Sequence, residues 1–132
     1  MTLANKTQRD ILSKAREWIA EADEEFLTEL IDTYLVDAPK QLAALRDALA
    51  RGDQESCTRA AHTLKSSSAY LGAVDFADLA KSLELASRAG RMKEMEQEVR
   101  QLESDYRPIQ AILENLRTTT FAELSSGSRN AG

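Results

Sequence analysis

The sequence predicts an all-α fold: an antiparallel up-down-up-down four-helix bundle with an additional short N-terminal helix. Three observations carry that prediction. Apolar residues recur every three to four positions along most of the chain. Five glycines and two prolines in 132 residues leave long helices uninterrupted. An aromatic content of 5% argues against a sandwich or barrel, while 42% hydrophobic residues suffice for a single core without staples.

Taken in order, residues 1–6 are expected to be disordered, residues 7–117 to form the folded domain, and residues 118–132 to form a flexible tail rich in Ser and Gly. From Thr7 to about Ala20, the spacing of Ile11, Ala15, Trp18 and Ile19 predicts a short first helix, with Trp18 as a packing anchor. Asp23 is placed to cap the second helix, and the acidic residues after it suit a helix N-terminus. Its apolar face is read as Phe26, Leu27, Leu30, Ile31, Tyr34, Leu35, Leu42, Leu45 and Leu49, with a kink near Val36–Asp37 imposed by Pro39.

Gly52 then stops that helix, and Asp53 is placed to cap the third. The third helix, from about Gln54 to Leu71, turns Cys57, Ala60, Ala61, Leu64, Ser68 and Leu71 inward, and Gly72 ends it. Asp75 is read as the cap of a fourth helix lined by Phe76, Leu79, Ala80, Leu83, Ala86 and Ser87 and closed by Gly90. A last helix from about Met92 to Arg117 carries Met95, Val99, Leu102, Tyr106, Ile109, Ile112, Leu113 and Leu116, bent or split at Pro108.

The formal net charge of −5 comes with no basic patch, which disfavours nucleic acid as a partner. No segment approaches the length of a membrane span or has the pattern of a secretion signal, so the cytoplasm is the expected compartment. Cys57 is the one cysteine and falls on an apolar stripe, where it reads as a small buried hydrophobe. One histidine and no thiol pair supply no metal-ligand set, so no metal site is expected.

That histidine is the chemically informative residue. It lies in the stretch Ala61-His62-Thr63-Leu64-Lys65-Ser66-Ser67-Ser68-Ala69-Tyr70-Leu71-Gly72. On a helical wheel, His62 falls roughly 140° and Lys65 roughly 80° from the centre of the inner stripe. The imidazole is therefore expected to face solvent, with Thr58, Ser66 and Ala69 in the same outward sector and Lys65 one turn away. Serines are mediocre helix formers, and three in a row mid-helix point to a need for small side chains. A nitrogen nucleophile, a nearby cation and clearance around both suit an anionic group presented by another macromolecule.

The segment resembles the signature of histidine-containing phosphotransfer (HPt) domains, His-x-x-Lys-Gly/Ser-Ser/Ala followed by a closing Gly, at His62, Lys65, Ser66, Ser67 and Gly72. The flanks Arg59-Ala60-Ala61 and Leu71-Gly72-Ala73 agree, as does Asp37-Ala38-Pro39 in the preceding helix, so the resemblance covers roughly residues 10–117. Many members have glycine where this chain has Ser66. The resemblance implies that His62 accepts a phosphoryl group from an aspartate of a receiver domain and passes it to another receiver. It also implies Glu84 on the next helix as the group that orients the histidine. Lys65 is then the main phosphoryl-stabilising cation, with Arg88 and Lys81 as weaker electrostatic candidates. Ser66, Ser67, Ala69 and Gly72 provide clearance for receiver docking.

No phosphate-cradling glycine loop or nucleotide motif is present, so the chain is read as a phosphocarrier and not a kinase. It is expected to need no cofactor of its own, Mg²⁺ being supplied by the partner receiver, and to be a monomer that meets response-regulator receivers and a hybrid sensor histidine kinase. The competing reading is a helical adaptor that binds such partners without being phosphorylated. A chemotaxis-type kinase domain ranks lower, because Ala73 stands where those usually have an aromatic residue.

Overall fold

The computed structural model describes residues 3–119, and among them it contains five α-helices and no strand. These are α1 (Leu3–Glu21), α2 (Glu24–Arg51), α3 (Gln54–Tyr70), α4 (Val74–Arg88) and α5 (Glu96–Thr118), with a 3₁₀ turn at Met92–Glu94 before α5. None of these helices is long and apolar enough to cross a membrane. The tail expected over 118–132 lies, beyond Thr119, outside the described residues, as do residues 1 and 2.

The ends of the helices follow local chemistry. Asp23 accepts a hydrogen bond from the Phe26 N–H at 2.7 Å, and Asp53 accepts one from the Ser56 N–H at 3.1 Å. Each satisfies an amide that the first helical turn leaves without a partner. Gly52, at φ +70°, takes the left-handed conformation that ends α2.

Two expectations need correction. α1 begins at Leu3, so residues 3–6 are helical and not disordered; Lys6 bridges Asp10 at 2.7 Å and Asp75 at 3.3 Å, tying that first turn to α4. Asp75 is therefore not a cap. It sits inside the first turn of α4, whose N-cap is Ala73 with no side-chain bond. α2 continues as one helix through Pro39, which is exposed, so water can satisfy the carbonyl left free one turn earlier. The last helix is not split at Pro108 but continues through it; its separate piece is the 3₁₀ turn, which delivers the fully buried Met95 to the start of α5.

α3 packs against both α2 and α4, most extensively against α4, and α5 contacts the same two helices. α1 touches α2, α4 and α5. Ile31, Leu45, Leu64, Leu83, Leu102 and Leu113 are fully buried in the shared core, each stabilising the fold by roughly 2 kcal/mol. All six residues read as the inner stripe of α3 are buried. Ser68 is tolerated there because its hydroxyl pairs with the Tyr34 hydroxyl at 2.7 Å inside the core. On α2 the buried line is narrower than the apolar face read from sequence: Phe26 is exposed, and Leu30, Leu35 and Leu49 pack only at its margin.

The junction of α3 and α4 is shaped to receive α1. Gly72 has φ +84°, and a Cβ built on it would lie 2.7 Å from both the Asp10 carbonyl oxygen and the Lys14 Cβ. Trp18 locks the same contact, donating its indole N–H to the Tyr70 carbonyl at 2.6 Å and packing on Phe26 and Tyr70.

Two glycine substitutions separate conformational strain from this close approach. Gly52→Ala meets open space and is expected to cost about 1 kcal/mol for the left-handed backbone alone. Gly72→Ala adds a collision with backbone and is expected to cost roughly 3 kcal/mol. Urea unfolding midpoints measure both, and equal losses would remove α1 packing as the reason for Gly72.

Candidate functional site

Where α3 faces α4, three side chains converge on one carboxylate. Glu84 points from α4 toward α3 and is 4% exposed. One of its oxygens, Oε2, lies 3.0 Å from His62 Nδ1 and accepts hydrogen bonds from Arg88 Nη2 at 2.7 Å and Nε at 3.3 Å. The other, Oε1, pairs with Lys65 Nζ at 3.0 Å. The spacings that allow this are helical: Lys65 follows His62 by three residues, and Arg88 follows Glu84 by four.

Burial works to raise the Glu84 carboxyl, but hydrogen bonds from Arg88, Lys65 and His62 outweigh it and hold the group at about 2. Glu84 is thus an ionised, acceptor-only group at neutral pH. In the neutral imidazole, Nδ1 must then carry the proton and Nε2 the lone pair. Nε2 has no hydrogen-bond partner among the described residues, and the His62 side chain is 53% exposed.

A second set of bonds holds α4 against α3 on the N-terminal side of the histidine. Gln54 Nε2 donates to the last carbonyls of α4, those of Ser87 at 2.8 Å and Arg88 at 3.2 Å. The Thr58 and Ser87 hydroxyls pair at 2.7 Å, and Ser87 donates to the Gln54 carbonyl at 3.1 Å. These groups fix the register in which Glu84 meets His62. Beside them lies an open cleft of about 760 Å³ lined by Gln54, Glu55, Thr58, Arg59, His62 and Arg88.

The structure therefore brings together His62, Lys65, Glu84 and Arg88 from the sequence reading. Ser66 and Ser67 are half-buried, Ser67 returning its hydroxyl to the Thr63 carbonyl at 2.9 Å, and Ala69 is exposed. Lys81 is exposed and takes no part in the cluster around Glu84. Gly72 does not belong with them: it is buried under α1, so the clearance it provides serves this chain's own packing and not a docking partner. Sequence reasoning missed the roles of Gln54 and Ser87. The helical wheel carried a signal for Gln54, which falls on the same side of α3 as Lys65. Arg59 was noted only as part of a flank, although it lines the cleft.

Comparison with known proteins gives a consistent result. A family model described as the Hpt domain matches residues 29–119. Among solved structures, the chain is similar to histidine-containing phosphotransfer protein B (HptB) from Pseudomonas aeruginosa PAO1. The two are 26% identical with a TM-score of 0.70, over 81% of this chain and 90% of that one. A search of curated proteins finds no match.

The Glu84 cluster predicts an acid-sensitive stability. Its folded-state value is depressed from 4.5 to about 2, so the stabilisation is present above 4.5 and is lost as pH falls toward 2. That pH-dependent part is on the order of 3 kcal/mol. Urea unfolding of wild type and Glu84→Gln should converge over this interval. A gap that stays constant with pH would contradict the ionised cluster.

Proposed function

The chain belongs to the Hpt domain family, and from that premise we propose that it is a phosphorelay intermediate of two-component signalling in which His62 carries the phosphoryl group. The observation that carries this reading is the hydrogen bond from His62 Nδ1 to a nearly buried, ionised carboxylate, which leaves Nε2 as an accessible nucleophile. In the forward step the Nε2 lone pair attacks the phosphorus of an aspartyl phosphate on a receiver domain. The N–P bond forms as the P–O bond breaks, and the aspartate leaves as a free carboxylate. The imidazole ring becomes cationic, its Nδ1 proton staying in place, and Glu84 stabilises that charge as a triad carboxylate does for its histidine.

Lys65 and Arg88 bring two further positive charges to the reacting region and neutralise Glu84, so an incoming dianion does not meet an uncompensated carboxylate. Phosphoryl transfer depends chiefly on positioning and charge neutralisation, and the receiver supplies the Mg²⁺ that shields its own phosphoaspartate. Reversal of the same step delivers the phosphoryl group to a second receiver. The partners on this reading are response-regulator receivers and a hybrid sensor kinase, met by a monomer in the cytoplasm. Ser66, Ser67 and Ala69 keep the surface of α3 beyond the histidine low, so that a receiver can approach along it.

The arrangement we infer for α2–α5 is an antiparallel up-down-up-down four-helix bundle crossed at one end by α1. It is supported by the cyclic pattern of helix neighbours. Pairs such as Asp32 with Arg117 and Arg46 with Glu96 join early α2 to late α5 and late α2 to early α5.

The test is phosphotransfer from a phosphorylated receiver with Mg²⁺. Wild type should acquire an acid-labile, alkali-stable phosphate that His62→Gln does not. A wild type that stays unlabelled across a panel of receivers, or a variant that labels equally well, removes the reading. Lys65→Ala is expected to slow transfer by on the order of tenfold and to lower stability, since it leaves Glu84 Oε1 without its partner. Circular dichroism should still show a helical fold, because Arg88 and His62 continue to hold Oε2.

A further inference from the structure

The cleft beside His62 contains a cation, Arg59, to which the histidine motif assigns no role. A side chain on an α-helix covers the turn N-terminal to its own Cα. The His62 ring therefore stands toward Thr58 and Arg59 and not toward Ser66 and Ala69. The lining of the cleft agrees, since it includes Thr58, Arg59 and Arg88 but neither Lys65 nor Ser66. A group attached to Nε2 on that side is flanked by one arginine from α3 and one from α4.

The cations around the histidine are held with very different firmness. Lys65 is bound to a nearly buried carboxylate, and moving it would strip a counter-charge from Glu84. Arg88 gives Nε and Nη2 to the same carboxylate and keeps Nη1 uncommitted among the described residues. Among the described residues, Arg59 is held only by Nη2 to Glu55 Oε1 at 2.9 Å, across an i,i+4 pair whose side chains are 68% and 86% exposed. Ion pairs so open to water are weak and easily exchanged. Arginine also offers a planar fork of donors that matches phosphoryl oxygens.

Resting on the phosphocarrier reading, we infer that Arg59 is a further phosphoryl-binding residue, held by Glu55 while His62 is unmodified and drawn to the phosphoryl oxygens once it is phosphorylated. Glu55 competes with the phosphoryl group for the same guanidinium and so sets how firmly the modified state is held. The charged groups around the phosphoryl group are then Arg59 and Glu55 from α3 and Arg88 from α4, with Lys65, paired to Glu84, adding its positive charge from behind the ring.

The experiment is ³¹P NMR of protein phosphorylated with potassium phosphoramidate, which transfers its phosphoryl group to the imidazole and releases ammonia. Following the phosphohistidine signal against pH reads the second ionisation of the phosphoryl group, which a nearby cation lowers. Arg59→Gln should raise that ionisation by about half a unit at low salt. Arg59→Lys should recover part of the shift, and Glu55→Gln should move it the opposite way. If phosphohistidine forms and all three variants titrate as wild type does, Arg59 does not bind the phosphoryl group, although the phosphocarrier reading stands. If wild type forms no phosphohistidine with either phosphoramidate or a phosphorylated receiver, the reading itself fails and this inference with it.

Discussion

The site depends on a carboxylate kept charged where a carboxylate is costly to keep. Glu84 is almost fully buried, and removing it from water would neutralise it unless donors replaced the lost hydration. Three side chains supply them, and each is thereby fixed in place: His62 in its ring orientation and tautomer, Lys65 across the groove, Arg88 along α4. Breaking any one contact leaves the others less satisfied. The cluster behaves as a unit because a shared buried charge couples its members.

That unit needs α3 and α4 in one register, and the chain secures it with uncharged groups. Gln54 caps the end of α4 from the beginning of α3, and the Thr58–Ser87 hydroxyl pair sits between that cap and the carboxylate. A slide of one residue would carry Glu84 about 100° around its helix and away from the imidazole. The apolar stripes of both helices resist such a slide, but they are periodic and discriminate poorly between neighbouring fits. Hydrogen bonds with defined partners discriminate well.

Most of this architecture was legible in the sequence because it is written in local periodicity and capping chemistry. The inner face of α3, the caps Asp23 and Asp53, the stop at Gly52 and the outward position of His62 follow from residues within two turns of one another. What was misread depends on partners distant in sequence. Asp75 reads as a cap but sits inside the first turn of α4, where it bridges Lys6, and Gly72 looks like surface clearance until α1 lies across it. Phe26 belongs to the apolar face by spacing but is left in solvent beside Trp18. Arg59 was passed over for a different reason. A helical wheel gives angle without axial lean, and it is the lean that turns the imidazole toward that arginine.

The placement of α1 also bears on where this domain ends. The family match starts at residue 29, inside α2 and after the whole of α1. Yet the turn that closes the histidine helix is cut to the shape of α1's backbone, and the one tryptophan of the chain bonds the last carbonyl of that helix. The boundary recognised across the family and the boundary of the folding unit are therefore different. A chain trimmed to the first would uncover the Gly72 notch and leave the end of α3 without its indole donor. Trp18, half-buried between Phe26 and Tyr70, is then a native fluorophore that reports whether the N-terminal helix is seated.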